Sequence, residues 1–212
     1  EPTTPVVTYV DDFLDGNVSV DPMLATGAQR GLAWVAPKDQ RRWRVQRIGG
    51  PRNAGLSMQG QKGASFMLTE TDKDWTDLDI QVTLVNRYNT RGADLLLRAN
   101  DRTEGYLVNL VRGQVLLRRL DETGAMTETV IGEGKKLLDR LGKQAFSMQV
   151  RNTDAGVKIT VDANADGKPD LTATDSENTF RTGRVATYAH SVNGSHRTDV
   201  ATIRIEDLAA NE

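Results

Sequence analysis

Residues 75–121, WTDLDIQVTLVNRYNTRGADLLLRANDRTEGYLVNLVRGQVLLRRLD, alternate between apolar runs and short polar breaks. In the first run Leu78, Ile80, Val82 and Leu84 are separated by polar residues, which is the period-two pattern of a strand with one wetted face. The breaks NRYNTRG, NDRTEG and RGQ are rich in the Asn, Gly and charged residues of turns. The stretch therefore predicts four consecutive strands joined by three reversals, an antiparallel meander.

Outside this stretch the same alternation predicts short strands separated by turns, about a dozen in all, as in a β-sandwich or barrel. One segment differs: GKKLLDRLGK at 134–143 places Leu137, Leu138 and Leu141 on a short amphipathic face before Gly142, which predicts one short helix. No repeat and no domain boundary is visible. The chain is therefore predicted to be a single all-β domain, 1–212, with an extended lead-in at 1–6.

Composition excludes several classes of function. The formal net charge of −2 gives no electrostatic case for binding nucleic acid or an anionic membrane surface. No apolar run approaches the ~20 residues of a membrane-spanning helix. The chain has no cysteine, which excludes disulfides, thiolate nucleophiles and cysteine-ligated metals. The start EPTTPVV is compatible with a cut after a leader and equally with a cytosolic protein that has lost its Met.

Several short segments follow one another in a characteristic order: DDF at 11–13, WTDLDIQVTL at 75–84, LLLRANDRTEGYLVNL at 95–110, VLLRRL at 115–120, FSMQVR at 146–151, TATD-x-x-x-x-F-x-x-G-x-V at 172–185, TYAHS at 187–191 and a closing strand with Glu206 and Asp207. This order resembles the concanavalin A-like lectin/glucanase superfamily in its laminin-G-like branch. That branch includes sugar-binding modules and the 3-keto-disaccharide hydrolase domain.

The resemblance implies a jelly-roll β-sandwich of two antiparallel sheets with at most one short helix. It also implies a carbohydrate-binding module of a secreted or periplasmic polysaccharide-handling protein, whose partner is a polysaccharide or oligosaccharide and whose chain could carry further domains. Glucanases of this superfamily have a catalytic Glu-x-Asp-x-x-Glu strand, and its alginate lyases have Arg-Glu-Leu-Arg and Gln-Ile-His strands. None of these segments occurs here, which favours binding over catalysis.

The segment DANADGKPDL at 162–171 predicts a calcium site. Asp162, Asn164, Asp166 and Asp170 occupy positions one, three, five and nine of a calcium loop, with Gly167 at the turn. The segment is also similar to the calcium loops of integrin-type propeller repeats. Position twelve is Ala173 rather than Glu, so the usual bidentate ligand is missing. The alternative is a long hairpin turn, for which Asn, Asp and Gly are the usual residues.

A second metal site follows from the resemblance, because many members of the branch hold a structural calcium where the first and last strands lie side by side. The candidate ligands are Asp11, Asp12, Glu206 and Asp207. Four carboxylates brought together without a cation would raise one another's pKa. Either a cation or a nearby arginine would resolve that repulsion.

A third candidate site is an open sheet face that binds sugar through Arg98, Tyr106, Arg184, Tyr188 and His190. Tyr188 and His190 are two residues apart, hence on one face of a strand, with Arg184 further along it. Guanidinium groups pair with hydroxyls and carboxylates, and a carboxylate-bearing sugar would favour the arginines further. The alternative is that Arg98 is paired internally, with Asp101 or Asp175, and that His190 is a packed strand residue.

Two other functions stay open at this point. The first is a glycoside hydrolase or polysaccharide lyase on the same fold, with His190 and either Asp175 or Glu177 as the acid/base pair and Arg98 as a substrate contact. The second is a protein-binding adhesion domain, which would expose an apolar patch above ~600 Å².

Overall fold

The computed structural model describes residues 6–36, 43–47, 54–59, 63–70, 74–86, 93–100, 104–111, 114–122, 126–136, 142–162, 166–191 and 197–208. Over these ranges the chain forms strands and one 3₁₀ turn, Pro22–Leu24. The strands are β1 (Val7–Asp11), β2 (Gln29–Gly31), β3 (Ala33–Val35), β4 (Trp43–Arg47), β5 (Ala54–Gln59), β6 (Gly63–Glu70), β7 (Leu78–Asn86), β8 (Ala93–Ala99), β9 (Gly105–Val111), β10 (Gln114–Glu122), β11 (Met126–Lys136), β12 (Gly142–Thr153), β13 (Gly156–Asp162), β14 (Leu171–Asp175), β15 (Arg184–Ser191) and β16 (Arg197–Asp207). In these ranges there is no helix of the length and apolarity needed to cross a membrane.

The strands divide between two sheets. A nine-stranded sheet has the order β14-β13-β12-β7-β16-β1-β2, with β5 paired to β16 and β4 paired to β5. A seven-stranded sheet has the order β11-β10-β9-β8-β15-β6-β3. The pairings are antiparallel except that of β1 with β2. The predicted all-β sandwich of two antiparallel sheets is confirmed.

The core lies between the sheets and draws on the whole chain. Alternate residues of β7, such as Ile80 and Val82, pack in one apolar cluster with Leu95 and Leu97 of β8. The cluster extends from Phe13 near the first strand to Ile205 in the last. Full burial of each large aliphatic side chain contributes about 2 kcal/mol, so this shared cluster is the main stabilising contact between the two sheets.

The predicted four-strand meander is correct in its strands and wrong in one pairing. β8, β9 and β10 pair in sequence within the seven-stranded sheet, and β11 continues them. β7 instead lies in the nine-stranded sheet, between β12 and β16. Alternation reveals that a segment is a strand, but β7 finds its partners more than fifty residues away, and no local pattern encodes that choice.

The predicted helix at 134–143 is wrong at both ends. Gly134 to Lys136 complete β11, where Lys136 is paired with Gln114, and Gly142 and Lys143 begin β12. The three leucines that suggested the amphipathic face lie at 137, 138 and 141, outside the described residues. Cross-strand pairing along β10 and β12 overrides a weak local preference for helix.

The two outer faces of the sandwich have opposite character. On the seven-stranded sheet a second apolar cluster is buried to 3% exposure or less, and it consists of Leu68, Leu96, Ala99, Leu107, Leu120, Ala186 and Tyr188. The outer face of the nine-stranded sheet is polar, and Gln81, Gln149, Thr202 and Arg204 are exposed there. Of the side chains that the structure describes, those available to a ligand in solution therefore lie mainly on the nine-stranded sheet.

Candidate functional site

Arg98 does not lie on an open face. Its side chain is 1% exposed, and its guanidinium reaches out of β8 to the far sheet. Nη1 donates to Asn152 Oδ1 at 2.9 Å and to the Phe180 carbonyl at 3.3 Å, and Nη2 donates to the Thr76 carbonyl. Asp77 lies 3.9 Å from Nη2. Burial lowers the pKa of Arg98 to about 10, and Asp77 counteracts the shift, so the side chain is charged at neutral pH.

Tyr106 is also internal. Its side chain is fully buried, its ring packs edge-on against Phe180, and its hydroxyl donates to Asp175 Oδ2 at 2.7 Å. Burial and the hydrogen bond to Asp175 raise the pKa of Tyr106 well above its ordinary value. Arg98 and Tyr106 are therefore structural contacts between the sheets, which corrects their assignment to a ligand face. The predicted partner Asp175 binds Tyr106, whereas Arg98 has other partners.

Asp175 is saturated with donors. Besides the Tyr106 hydroxyl, the Glu177 N–H lies 3.1 Å from Oδ1, the Thr179 N–H 3.5 Å from Oδ2, and Arg119 Nη1 3.5 Å from Oδ1. Burial raises the pKa of Asp175, but these donors outweigh it and hold the pKa below the ordinary value. A carboxylate stabilised in this way is a poor proton acceptor at neutral pH.

Tyr188 and Arg184 lie on the outer face of the seven-stranded sheet, whereas the side chain of His190 is outside the described part of the structure. The register pairs Tyr188 with Asp94 and His190 with Ala64, and it pairs Arg184 with Ala99. Tyr188 is 1% exposed within the second apolar cluster. The burial of Tyr188 is a property of the whole sheet that the alternation of residues along one strand does not predict.

The acid/base pairs considered for an enzyme are not brought together. Asp175 ends β14 at one edge of the nine-stranded sheet, and Glu177 follows it and binds Arg119 at 2.5 Å. His190 lies in the other sheet, near the end of β15 that is remote from the 176–183 segment. His190 is six residues beyond Arg184 along β15, so the backbone at His190 lies roughly 20 Å from the strand end that adjoins the 176–183 segment.

The first and last strands pair as the second metal prediction required, but the register separates its four carboxylates. Asp11 is opposite Ile203, whereas Asp207 is opposite Val7 at the other end of the pair. Ile203, which is opposite Asp11, and Asp207 are four residues apart along β16, which corresponds to roughly 13 Å. Glu206 binds Arg204 at 2.6 Å, and Asp12 accepts the Leu14 N–H at 3.0 Å. The antiparallel direction of β1 and β16 explains why acidic pairs at two strand ends do not meet.

Asp11 is a buried carboxylate with a local role. It is 3% exposed, and it accepts the Phe13 N–H at 2.8 Å and the Trp34 indole N–H at 2.7 Å. These bonds stabilise the turn after β1, where Phe13 has a positive φ of 56°. Burial raises the pKa of Asp11 to about 7, against the opposing effect of the two hydrogen bonds.

The 162–170 segment is a turn organised by Asp162. This carboxylate is 6% exposed, and it accepts the Gly167 N–H at 2.7 Å and the Asp166 N–H at 3.2 Å. Asp170 donates its N–H to the Val161 carbonyl at 2.9 Å, and Asn164 lies outside the described residues. Among the residues that the structure describes, no three His, Cys, Asp or Glu side chains are grouped closely enough to hold a metal.

Beside this turn, the outer face of the nine-stranded sheet contains a groove of about 400 Å³. Its floor is one row of directly paired residues, Arg204, Gln81, Ser147 and Asp162, on four adjacent strands. Thr202, Thr83 and Ala145 form the next row. The depression arises because β12 contributes only small side chains there, between the longer Gln81 and Arg204 on one side and the 162–170 turn on the other. No pattern in the sequence predicts this groove.

A few large apolar side chains are exposed in the described part of the chain. Leu14, Val20 and Met23 belong to the segment between β1 and β2, and Val35 ends β3. Isolated exposed apolar residues are normal on soluble proteins.

No protein-family model matches the chain, and no curated protein matches it. Solved structures do match in fold. The carbohydrate binding module CBM66 from Bacillus subtilis is 22% identical, with a TM-score of 0.54 over 80% of this chain and 94% of that one. A mutant of the GH43 protein BlXynB from Bacillus licheniformis is 12% identical, with a TM-score of 0.56 over 93% of this chain.

This chain spans only 39% of that GH43 protein. The exoplasmic/lumenal domain of VIP36, in a form bound to Ca²⁺ and Man2, is 10% identical, with a TM-score of 0.50 over 89% of this chain and 86% of that one. At these identities the similarity shows a shared fold, a sandwich of the type that the sequence order predicted, and it leaves activity to be argued from the site.

Proposed function

We propose that this protein binds carbohydrate without chemical turnover, in the groove on the outer face of the nine-stranded sheet. The observation that carries the proposal is the groove itself, whose exposed floor combines an amide, hydroxyls and a guanidinium on adjacent strands. Sugars present hydroxyls that both donate and accept hydrogen bonds, and Gln81, Ser147, Thr83, Thr202 and Arg204 supply both kinds of partner.

The dimensions and rigidity of the floor suit an oligosaccharide. Arg204 and Asp162 lie three strands apart, roughly 14 Å at the usual spacing, which is the length of a short sugar chain. Each floor residue belongs to a strand paired on both sides, so its position is fixed before a ligand arrives and little ordering cost is added on binding. The sugar-related structural neighbours support the proposal through their fold.

A glycan-array screen tests the proposal on the wild type and three variants. Ser147→Tyr fills the groove, whereas Gln149→Tyr adds the same ring two residues along the same strand, at an exposed position outside the groove lining. Arg184→Ala probes the opposite sheet, because Arg184 is partly exposed there. We expect wild-type binding to specific glycans, a loss of affinity of about tenfold or more in Ser147→Tyr, and little change in the other two.

Thermal unfolding of each variant confirms that folding is intact. Binding that survives Ser147→Tyr and is lost in Arg184→Ala would place the ligand on the seven-stranded sheet instead. No binding to any glycan by the wild type would refute the proposal.

Calcium binding at the 162–170 turn stays a prediction. Asp162 accepts the Gly167 and Asp166 N–H groups, and its carboxylate has further lone pairs with which it could ligate an ion. The measurement is the melting temperature in calcium and in EDTA, with Asp166→Asn as the comparison. A calcium-dependent rise in the wild type that Asp166→Asn removes would support the prediction, and equal melting temperatures in both media would contradict it.

Secretion and a place within a larger polysaccharide-handling protein belong to the same hypothesis. Both would follow if the ligand is an extracellular glycan. Fractionation of cells that express the full-length gene, with detection of this domain in the medium or periplasm, tests the first point directly.

A further inference from the structure

We infer that the groove selects uncharged glycans and disfavours polyanionic ones such as uronate or sulfated polymers, an inference that rests on the proposed carbohydrate binding. Of the described residues that line the groove, two are charged, Arg204 and Asp162. A cation that is free to bind would attract an anionic sugar. The charge partners of Arg204 therefore decide which class of glycan fits.

The charge of Arg204 is neutralised by a carboxylate on the same strand, that of Glu206. Its Nε lies 3.1 Å and its Nη2 2.6 Å from Oε1 of Glu206, two residues further along β16 and on the same face. Both side chains are partly exposed, at 47% and 28%, so the pair forms at the sheet surface where a ligand would meet it. An anionic sugar would have to displace the Glu206 carboxylate to reach the guanidinium.

Another arginine on this face of the sheet is also paired with a carboxylate. Arg151, four residues beyond Ser147 on β12, is bound to Asp79 of β7 at 2.9 Å. Of the 162–170 turn, Asp162 and Gly167 line the groove, so the turn contributes one carboxylate to the described lining. Because Arg204 is paired with Glu206, the described lining of the groove contains no cation that lacks a carboxylate partner, and its other charged residue is Asp162.

This charge distribution penalises anionic ligands and leaves neutral ones unaffected. Like charges that approach in an interface cost free energy and slow association, most strongly at low ionic strength. Hydroxyl groups of a neutral sugar bond equally well to the uncharged Gln81, Ser147 and Thr202 of the groove. The carboxylate-bearing sugar that the arginines suggested in the sequence is therefore disfavoured.

The test compares binding to two sets of soluble polymers, by affinity electrophoresis and calorimetry at low salt, about 20 mM, and near physiological salt. The neutral set contains β-glucan, xylan, mannan and levan, and the anionic set contains alginate, polygalacturonate and chondroitin sulfate. We expect wild-type binding to a neutral polymer to exceed binding to every anionic polymer by about tenfold or more, with no gain for the anionic set at low salt.

The variant Glu206→Gln tests the cause of this selectivity, because it removes the negative charge that is paired with Arg204 and preserves the size of the side chain. We expect binding to anionic polymers to increase several-fold at low salt, with neutral binding unchanged. Glu177→Gln makes the same charge change beyond the far end of β14 and serves as the control, with no effect on either set.

Two results would overturn the inference while leaving the proposed function intact. One is a wild-type preference for an anionic polymer that strengthens at low salt. The other is anionic binding in Glu206→Gln that is no stronger than in the wild type. Absence of binding to both sets would instead refute the proposed function, and this distinguishes the two failures.

Discussion

Arg98 fastens the two sheets together at one end of the sandwich. Its guanidinium, which extends from β8, donates hydrogen bonds to Thr76, Asn152 and Phe180 on the side of the nine-stranded sheet. The sequence marked Arg98 as an anomaly in the apolar run LLLRA but could not distinguish a ligand contact from an internal clamp. Its partners lie 22, 54 and 82 residues away, and only the folded chain brings them together.

We expect Arg98→Ala to lower the free energy of unfolding by about 3 kcal/mol, because carbonyl oxygens and Asp77 would lose their donor in a buried site. Arg98→Lys should recover only part of this loss, since one ammonium cannot reproduce the planar fork of the guanidinium. Urea unfolding measures both changes. The exposed Arg204→Ala, with an expected change below about 1 kcal/mol, is the matched control. Equal stabilities of Arg98→Ala and Arg204→Ala would contradict the clamp.

Asp11 gives the protein a specific pH dependence. Its pKa is raised by burial to about 7, whereas an unfolded aspartate titrates near 3.9. The folded state therefore holds an extra proton between these two values, so the stabilising contribution is complete below about pH 4 and is lost as the pH rises through 7. The lowered pKa of Asp175 acts in the opposite direction, and its contribution is lost only as the pH falls below about 4.

Urea unfolding between about pH 5 and pH 8 isolates the Asp11 contribution. We expect wild-type stability to fall over this interval and Asp11→Asn to show a smaller fall, since the amide does not titrate. The difference between the two proteins should change by on the order of 1 kcal/mol or more. Parallel curves for the wild type and Asp11→Asn would show that the burial of Asp11 does not govern the pH dependence.

At the scale of the element, β8 is interrupted by a bulge at Arg98. The residue has a positive φ of 53°, and the register between β8 and β15 shifts there. Two glycines accommodate the bulge from both sides. A Cβ on Gly105 would lie 2.6 Å from the Leu97 carbonyl oxygen, and one on Gly183 would lie 2.5 Å from the Arg98 carbonyl carbon. Both glycines are visible in the sequence, but their purpose depends on a backbone contact between separate strands.

Gly183→Ala should therefore destabilise the protein by about 3 kcal/mol, because a methyl group would overlap the Arg98 backbone and the φ of 149° disfavours any side chain. Gly167→Ala is the matched control. Its φ of 84° is also positive, but a Cβ there meets no atom within 4 Å, so only the conformational cost of about 1 kcal/mol applies. Chemical denaturation ranks the two, and a control that proves as damaging as Gly183→Ala would argue against a tightly packed bulge.

The same scale explains what the sequence could and could not predict. Alternation located β7, β8, β9 and β10. It also located the 162–170 turn beside which the groove lies. The groove itself was missed, because it results from small side chains on β12 that become neighbours of Gln81 and Arg204 only through cross-strand register.

At the scale of the molecule, the order of segments predicted the sandwich, and the pairing of β1 with β16 followed the expectation for its ends. The chain crosses between the sheets several times, since β6 and β8 belong to one sheet and β5 and β7 to the other. A single apolar cluster joins residues from Phe13 to Ile205. No cut along the described chain separates this cluster into two cores, so we expect one cooperative unit.

Ile205→Ala tests this cooperativity from the last strand. Ile205 is fully buried in β16, which pairs with β1, β5 and β7, so its truncation should cost about 3 kcal/mol. Because Trp34 and Trp75 lie in the same core near other strands, their fluorescence should report the same shifted midpoint as far-UV circular dichroism. The exposed Lys158→Ala should leave both midpoints unchanged. Midpoints that separate in Ile205→Ala would mean that part of the sandwich unfolds independently, and the single-domain prediction would then be wrong.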